Sequence, residues 1–144
     1  MLIAEKEIGI KEVPGKGDNK RIVEYHSYTR LGAPHDEISW CSSFCCFVME
    51  SVLIESPKNA LARSWLEWGI SCEPRYGSVL IFAVGRYEWQ GHVGFYVYQD
   101  KEKFYVLGGN QRNEVNVTGY KKELLLDARW PSREEYLQIT RMDA

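Results

Sequence analysis

The chain has 144 residues and a mass of 16.7 kDa, the size of one domain able to bury a core. Eighteen basic against 20 acidic residues, with no basic stripe, argue against nucleic-acid binding, and 44% hydrophobic content argues against disorder. No apolar run approaches the roughly 20 residues needed to span a bilayer, so no membrane insertion is expected.

The first seven residues, Met1-Leu2-Ile3-Ala4-Glu5-Lys6-Glu7, lack the charged lead, apolar middle and small-residue cleavage site of a secretory signal. Synthesis in the cytoplasm is expected, with any extracytoplasmic action following release or delivery. Neither a repeat nor a linker divides the chain, and residues 1–144 are read as a single domain. A short helix is predicted over residues 2–9, stopped near Gly9 and by Pro14. The stretch Gly15-Lys16-Gly17-Asp18 reads as a turn. Asp18 or Asn19 then caps a helix carrying Ile22, Val23 and Tyr25, which gives out near Gly32-Ala33-Pro34.

Cys41, Phe44, Cys45, Val48 and Val52 recur at helical spacing, which predicts a helix with one buried face and Ser39 as its N-cap. A further helix is predicted from Pro57 to Trp68, stopped by Gly69, with Trp65 and Trp68 as packing residues. Beyond Gly77 the pattern becomes strand-like over 79–84, 92–98, 104–107, 115–118 and 136–140. The polar link 99–103 predicts an antiparallel hairpin. Helices followed by an antiparallel sheet make an α+β domain.

The four cysteines are Cys41, Cys45, Cys46 and Cys72; their crowding argues against a disulfide framework, and the lack of a CxxC pair argues against zinc. Cys41 stands out because it opens a helix, where unpaired N–H groups and the helix dipole favour a thiolate and can hold an oxyanion. A thiol nucleophile needs a base. His92, between Gly91 and Gly94 at the start of a predicted strand, is the candidate. It is expected within, or slightly beyond, hydrogen-bond reach of Cys41. His26 lies in a helical pattern and His35 in a loop. In Leu107-Gly108-Gly109-Asn110-Gln111, Asn110 is expected across from His92 to orient its ring, with Gln111 as the substitute; a turn or bulge is the structural alternative. The loop 85–90 leads into His92, so Arg86, Tyr87 and Trp89 are expected to rim a cleft, with Trp40 and Gln111 as further substrate contacts.

These residues, Trp40-Cys41-Ser42-Ser43-Phe44, then Gly91-His92-Val93-Gly94-Phe95-Tyr96, then Leu107-Gly108-Gly109-Asn110-Gln111, resemble the papain-like CHAP and NlpC-type cysteine hydrolases, and more closely a small, often phage-associated branch. The resemblance extends upstream to Glu7–Glu12 and Asn19–Tyr25, covering nearly the whole chain. It implies a papain-like arrangement and a catalytic set of Cys41, His92 and Asn110. Many CHAP members carry a Glu two residues before the Asn; here that position is Gly108. The acidic run by which several relatives bind calcium has no counterpart, so no metal or cofactor is carried over.

The activity implied is amide hydrolysis in bacterial peptidoglycan, as an N-acetylmuramoyl-L-alanine amidase or a peptide endopeptidase. A monomer is expected, and a holin, a secretion system or an immunity protein is a candidate partner. The competing readings are a cysteine peptidase of the same fold acting on protein, in phage assembly or as a delivered toxin, and a non-catalytic module on this scaffold.

Overall fold

Three helices precede a six-stranded antiparallel sheet in the computed structural model, which describes residues 1–14, 17–30 and 39–132. The helices are α1 (Leu2–Lys6), α2 (Lys20–His26) and α3 (Cys41–Ser51). The strands are β1 (Ile70–Ser71), β2 (Val79–Phe82), β3 (His92–Gln99), β4 (Lys103–Gln111), β5 (Glu114–Lys121) and β6 (Leu125–Trp130). They lie in the order β1-β6-β2-β3-β4-β5 and every pairing is antiparallel, so the domain is α+β as the pattern predicts.

Helix α1 stops short of Gly9, whose φ of +100° turns the chain in a region L side chains avoid. The following residues pair with the outer edge of β5, through Gly9 N–H to Val115 O at 2.9 Å and Val115 N–H to Ile10 O at 2.8 Å. This covers part of an otherwise open sheet edge. Asn19 caps α2 as predicted, its Oδ1 accepting the Arg21 N–H at 2.8 Å.

Helix α3 departs from the one-faced pattern, since every residue from Cys41 to Met49 is buried. Phe44, Cys45 and Val48 join one apolar cluster with Val79, Ile81, Val93, Phe95 and Leu107 of the sheet. The opposite side of the helix survives burial because its polar groups are small and satisfied. Ser42 Oγ donates to Asn59 O at 2.6 Å and accepts from Trp65 Nε1 at 2.9 Å; Ser43 Oγ meets His26 Nδ1 at 2.9 Å. His26 is thus a buried structural histidine. Trp40, not Ser39, occupies the N-cap position, and no side chain caps the helix.

The predicted helix over 57–68 shortens to a 3₁₀ turn, Ala62–Glu67. Lys58 sits at φ +54° and the Asn59 side chain takes the Leu61 N–H, so no α-helix forms ahead of it. Trp65 and Trp68 are buried, as expected of packing residues. Strands β1 and β6 lie outside the predicted set. His35, the helix end near residues 32–34, part of the 15–18 turn and the strand expected at 136–140 lie outside the described residues.

The sheet buries both faces. A second cluster on the side away from α3 gathers Leu80, Phe82, Phe104, Val106 and Ala128, with Tyr96 and Tyr120 against it. Strand β2 is therefore buried at all four positions, which accounts for its uninterrupted apolar run.

Strands β4 and β5 carry the irregularity that matters most. Gly108 pairs with Asn116 and Gln111 with Glu114, so three steps on β4 face two on β5. One extra residue is inserted, a β-bulge. Asn110 lies in it at φ +56°. Gly109 approaches α3 so closely that a Cβ there would stand 2.6 Å from the Trp40 ring and 2.8 Å from Phe44 Cβ. Gly109→Ala should therefore destabilise the fold by roughly 1–3 kcal/mol through overpacking, checked by urea unfolding. Wild-type stability in that variant would contradict the close packing of the bulge on α3.

Candidate active site

Cys41 is the first residue of α3, where the N–H groups of the first turn have no helical partner. Cys41 is 4% exposed yet lines a cleft of about 230 Å³, with Ser39, Ala60, Leu61, Ala62, Val84, Gly85, Trp89, Gln90 and Gly91. Burial pushes the thiol above its usual range, against the opposing pull of the Val93 and Ser42 N–H groups and the Ser39 side chain. The helix start does not win over desolvation, so the resting group is a thiol, contrary to the thiolate expected from its position. The other cysteines are free as well.

His92 opens β3. The Val93 amide that meets Cys41 is its immediate neighbour, and Cys41 also acts on Tyr120, which stacks on His92. Thiol, imidazole and phenol thus share one end of the sheet. No hydrogen bond joins Cys41 to His92 among the described residues; the nearest link between them is the Val93 amide next to His92.

The third position is not the expected one. Asn110 does not reach His92; its Nδ2 points to Ser39 Oγ at 3.4 Å on the exposed side. Gln111 takes the place, with His92 Nε2 and Gln111 Oε1 2.9 Å apart and buried. The bulge is the cause. Side chains alternate along a strand, so Gly108 and Asn110 would share a face in regular pairing. The inserted residue moves that face to Gln111. It does so within tight limits: a Cβ at Gly108 would come 2.7 Å from Gln111 Oε1 and 3.4 Å from His92 Nε2.

Gln111 fixes the histidine tautomer. Its Nε2 lies 3.1 Å from Val106 O and 2.8 Å from Asn116 O, both backbone carbonyls that can only accept. The amide nitrogen must face them, which leaves Oε1 toward His92. An acceptor there requires the proton on His92 Nε2. Nδ1 then carries the lone pair, and it makes no hydrogen bond among the described residues. Asn116 braces the amide, its Oδ1 accepting from Gln111 Nε2 at 2.9 Å and its Nδ2 donating to Gln111 O at 2.9 Å.

Burial lowers the His92 pKa to about 4, opposed by the Gln111 hydrogen bond. At neutral pH the imidazole is therefore neutral, the form able to accept a proton. Tyr120 lies against the imidazole with ring centroids 4.8 Å apart and planes 22° apart, and its hydroxyl donates to Gln111 Oε1 at 3.3 Å. Sequence reasoning missed it, because the strand expected over 115–118 ended before it.

Of the expected rim residues, Trp89 lines the cleft and is 60% exposed; Tyr87 stacks on it with centroids 6.0 Å apart and planes 4° apart. Gln90 shapes the loop, its Oε1 accepting the Arg86 and Tyr87 N–H groups at 2.7 and 2.9 Å. Arg86 is exposed on the same loop but does not line the cleft. Trp40 is not a substrate contact: it is fully buried, and its Nε1 donates to Glu12 at 2.7 Å. Gln111 is likewise shut from the cleft and serves His92 instead. Among the described residues no group of His, Cys, Asp and Glu could hold a metal, and no helix is long and apolar enough to cross a membrane. No protein-family model matches the chain, and no curated protein matches it in sequence.

The depressed His92 pKa sets a stability signature. The unfolded chain takes up a proton at its imidazole near the ordinary value of 6.5, whereas the folded chain resists until about 4. Unfolding therefore binds protons in this window, and stability falls as pH drops through it. The loss from this group is roughly 3 kcal/mol between pH 6.5 and 4. Urea unfolding of the wild type and of His92→Asn should show it as a difference in slope. Parallel pH profiles would contradict a buried neutral His92.

Proposed function

We propose that the chain is a cysteine hydrolase that cuts an amide bond in bacterial peptidoglycan. The observation that carries the hydrolase reading is the buried Gln111–His92 hydrogen bond beside a helix-opening cysteine in a cleft. It presets an imidazole with a free lone pair, which is what a thiol nucleophile needs in order to be activated. The substrate class rests on the resemblance of the Cys41, His92 and Gly108–Gln111 segments to CHAP and NlpC-type hydrolases. It is supported by the exposed Tyr87–Trp89 pair at the rim, a surface suited to stacking on sugar or peptide. The papain-like arrangement belongs to the same reading. The protein would act on the wall after release or delivery, with a holin, a secretion system or an immunity protein as partner.

In this mechanism the resting pair is neutral. When substrate binds, the thiol proton passes to Nδ1 as sulfur attacks the amide carbon. The oxyanion forms near the first-turn N–H groups of α3. The imidazolium is stabilised by its Nε2–H···Gln111 bond and returns the Nδ1 proton to the leaving amine, breaking the C–N bond. His92 then takes a proton from water, whose oxygen attacks the thioester carbon; the C–S bond breaks and the imidazolium returns that proton to sulfur, releasing the acid and restoring the Cys41 thiol and neutral His92.

Incubation with purified sacculi and mass analysis of the released fragments tests the reading. Wild-type protein should release fragments with a new amine terminus, and Cys41→Ser should lose at least about 10³-fold in rate. Gln111→Ala should lose at least about tenfold in kcat. Asn110→Gly, which suits the positive φ, should stay within about threefold of wild type. Intact sacculi with wild-type protein, or full activity in Cys41→Ser, would overturn the proposal.

A further inference from the structure

A column of two rings stands behind the imidazole. Phe82, fully buried in β2, stacks on Tyr120 with centroids 4.9 Å apart and planes 24° apart, and Tyr120 in turn stacks on His92. Phe82 and His92 are cross-strand partners of β2 and β3, so this column is anchored in the sheet itself. The Tyr120 hydroxyl donates to the Gln111 oxygen that also accepts from His92 Nε2. One residue from β5 thus touches both members of the base pair, on a face and at an acceptor.

We propose that Tyr120 is a positioning residue for His92, covering one face of the imidazole and sharing its Gln111 acceptor so that the ring stays dry and turned with Nδ1 free. This rests on the hydrolase reading for its catalytic meaning, though not for its physical content. The flat ring excludes water from the imidazole and blocks rotation about the bond to the ring. Its hydroxyl engages a lone pair of Gln111 Oε1 that would otherwise lack a partner in a buried site, which holds the amide oxygen toward His92.

Among the described residues no charged group offsets this cover. The groups packed on His92 are Tyr120 from β5, Gln111 from β4 and Phe82 from β2, with the Cys41 thiol of α3 at the same end of the sheet. Among the described residues no carboxylate, lysine or arginine acts on the ring, and burial is the main influence upon it. Opening the Tyr120 face to water therefore acts directly on the base.

The test is NMR titration of His92 together with steady-state kinetics in Tyr120→Phe, Tyr120→Leu and Tyr120→Ala. Tyr120→Phe keeps the stack and should leave the His92 pKa within about half a unit of wild type. Tyr120→Ala should raise it by about one unit or more. Tyr120→Leu keeps apolar bulk in the sheet and guards against an unfolded alanine variant; it should raise the pKa in the same direction and populate the second ring tautomer. In Leu and Ala, kcat should fall about tenfold with KM within about threefold, and its acid limb should follow the new pKa. A folded Tyr120→Leu with wild-type His92 titration and tautomer would overturn the proposal. If the wild type cleaves no sacculi, the hydrolase reading fails while the titration still decides the role of Tyr120.

Discussion

One buried side-chain amide governs the candidate site. Gln111 is 2% exposed, and its nitrogen is committed to two backbone carbonyls and to Asn116. Its oxygen therefore has one orientation, and His92 has one tautomer. An amide held this way costs little to keep in place and much to turn, because rotation would set its oxygen against two carbonyls and leave buried groups unpaired. The Nδ1 lone pair of His92 is thus a consequence of strand geometry one residue beyond a bulge.

The bulge in turn depends on packing. Gly108 and Gly109 leave no room for side chains: one side is closed by His92 and Gln111, the other by Phe44 of α3 and Trp40 at its N-cap. The same backbone thus seats α3 against the sheet and sets the register of Gln111. Trp40 completes this link by burying its ring at the start of α3 while its Nε1 reaches Glu12, beside the segment that covers the β5 edge. Helix start, bulge and sheet edge form one mechanical unit. The electrostatics follow from it, since burial raises the thiol and lowers the imidazole, and both rest uncharged. A neutral pair avoids two buried charges at this end of the sheet.

Much of this was legible in the sequence, and the rest was hidden for identifiable reasons. The apolar spacing of Cys41 to Val52 located α3, and the β-rich runs located β2 to β5, because local pattern reports burial. Strand β6 was not legible: Asp127 and Arg129 interrupt its apolar residues, and Ser71, Trp68 and Gly69 hydrogen-bond them from distant positions. Cys41 and His92 stood out by placement, one opening a helix and one opening a strand. Hairpin pairing and the resemblance pointed to Asn110 as the orienting residue, with Gln111 the substitute; the bulge at Gly-Gly-Asn, which hands the contact to Gln111, is fixed by packing rather than by local pattern. Trp40 looked like a substrate contact by its adjacency to Cys41, yet its partner Glu12 lies 28 positions away. Tyr120 carried no local signal, since its value comes from a ring on another strand.

The account is tested most directly by the ring-nitrogen chemical shifts of His92 in the resting wild-type protein near neutral pH. A neutral imidazole protonated at Nε2, with Nδ1 bare, is the result the Gln111 geometry requires. An imidazolium, or a neutral ring protonated at Nδ1, would contradict it.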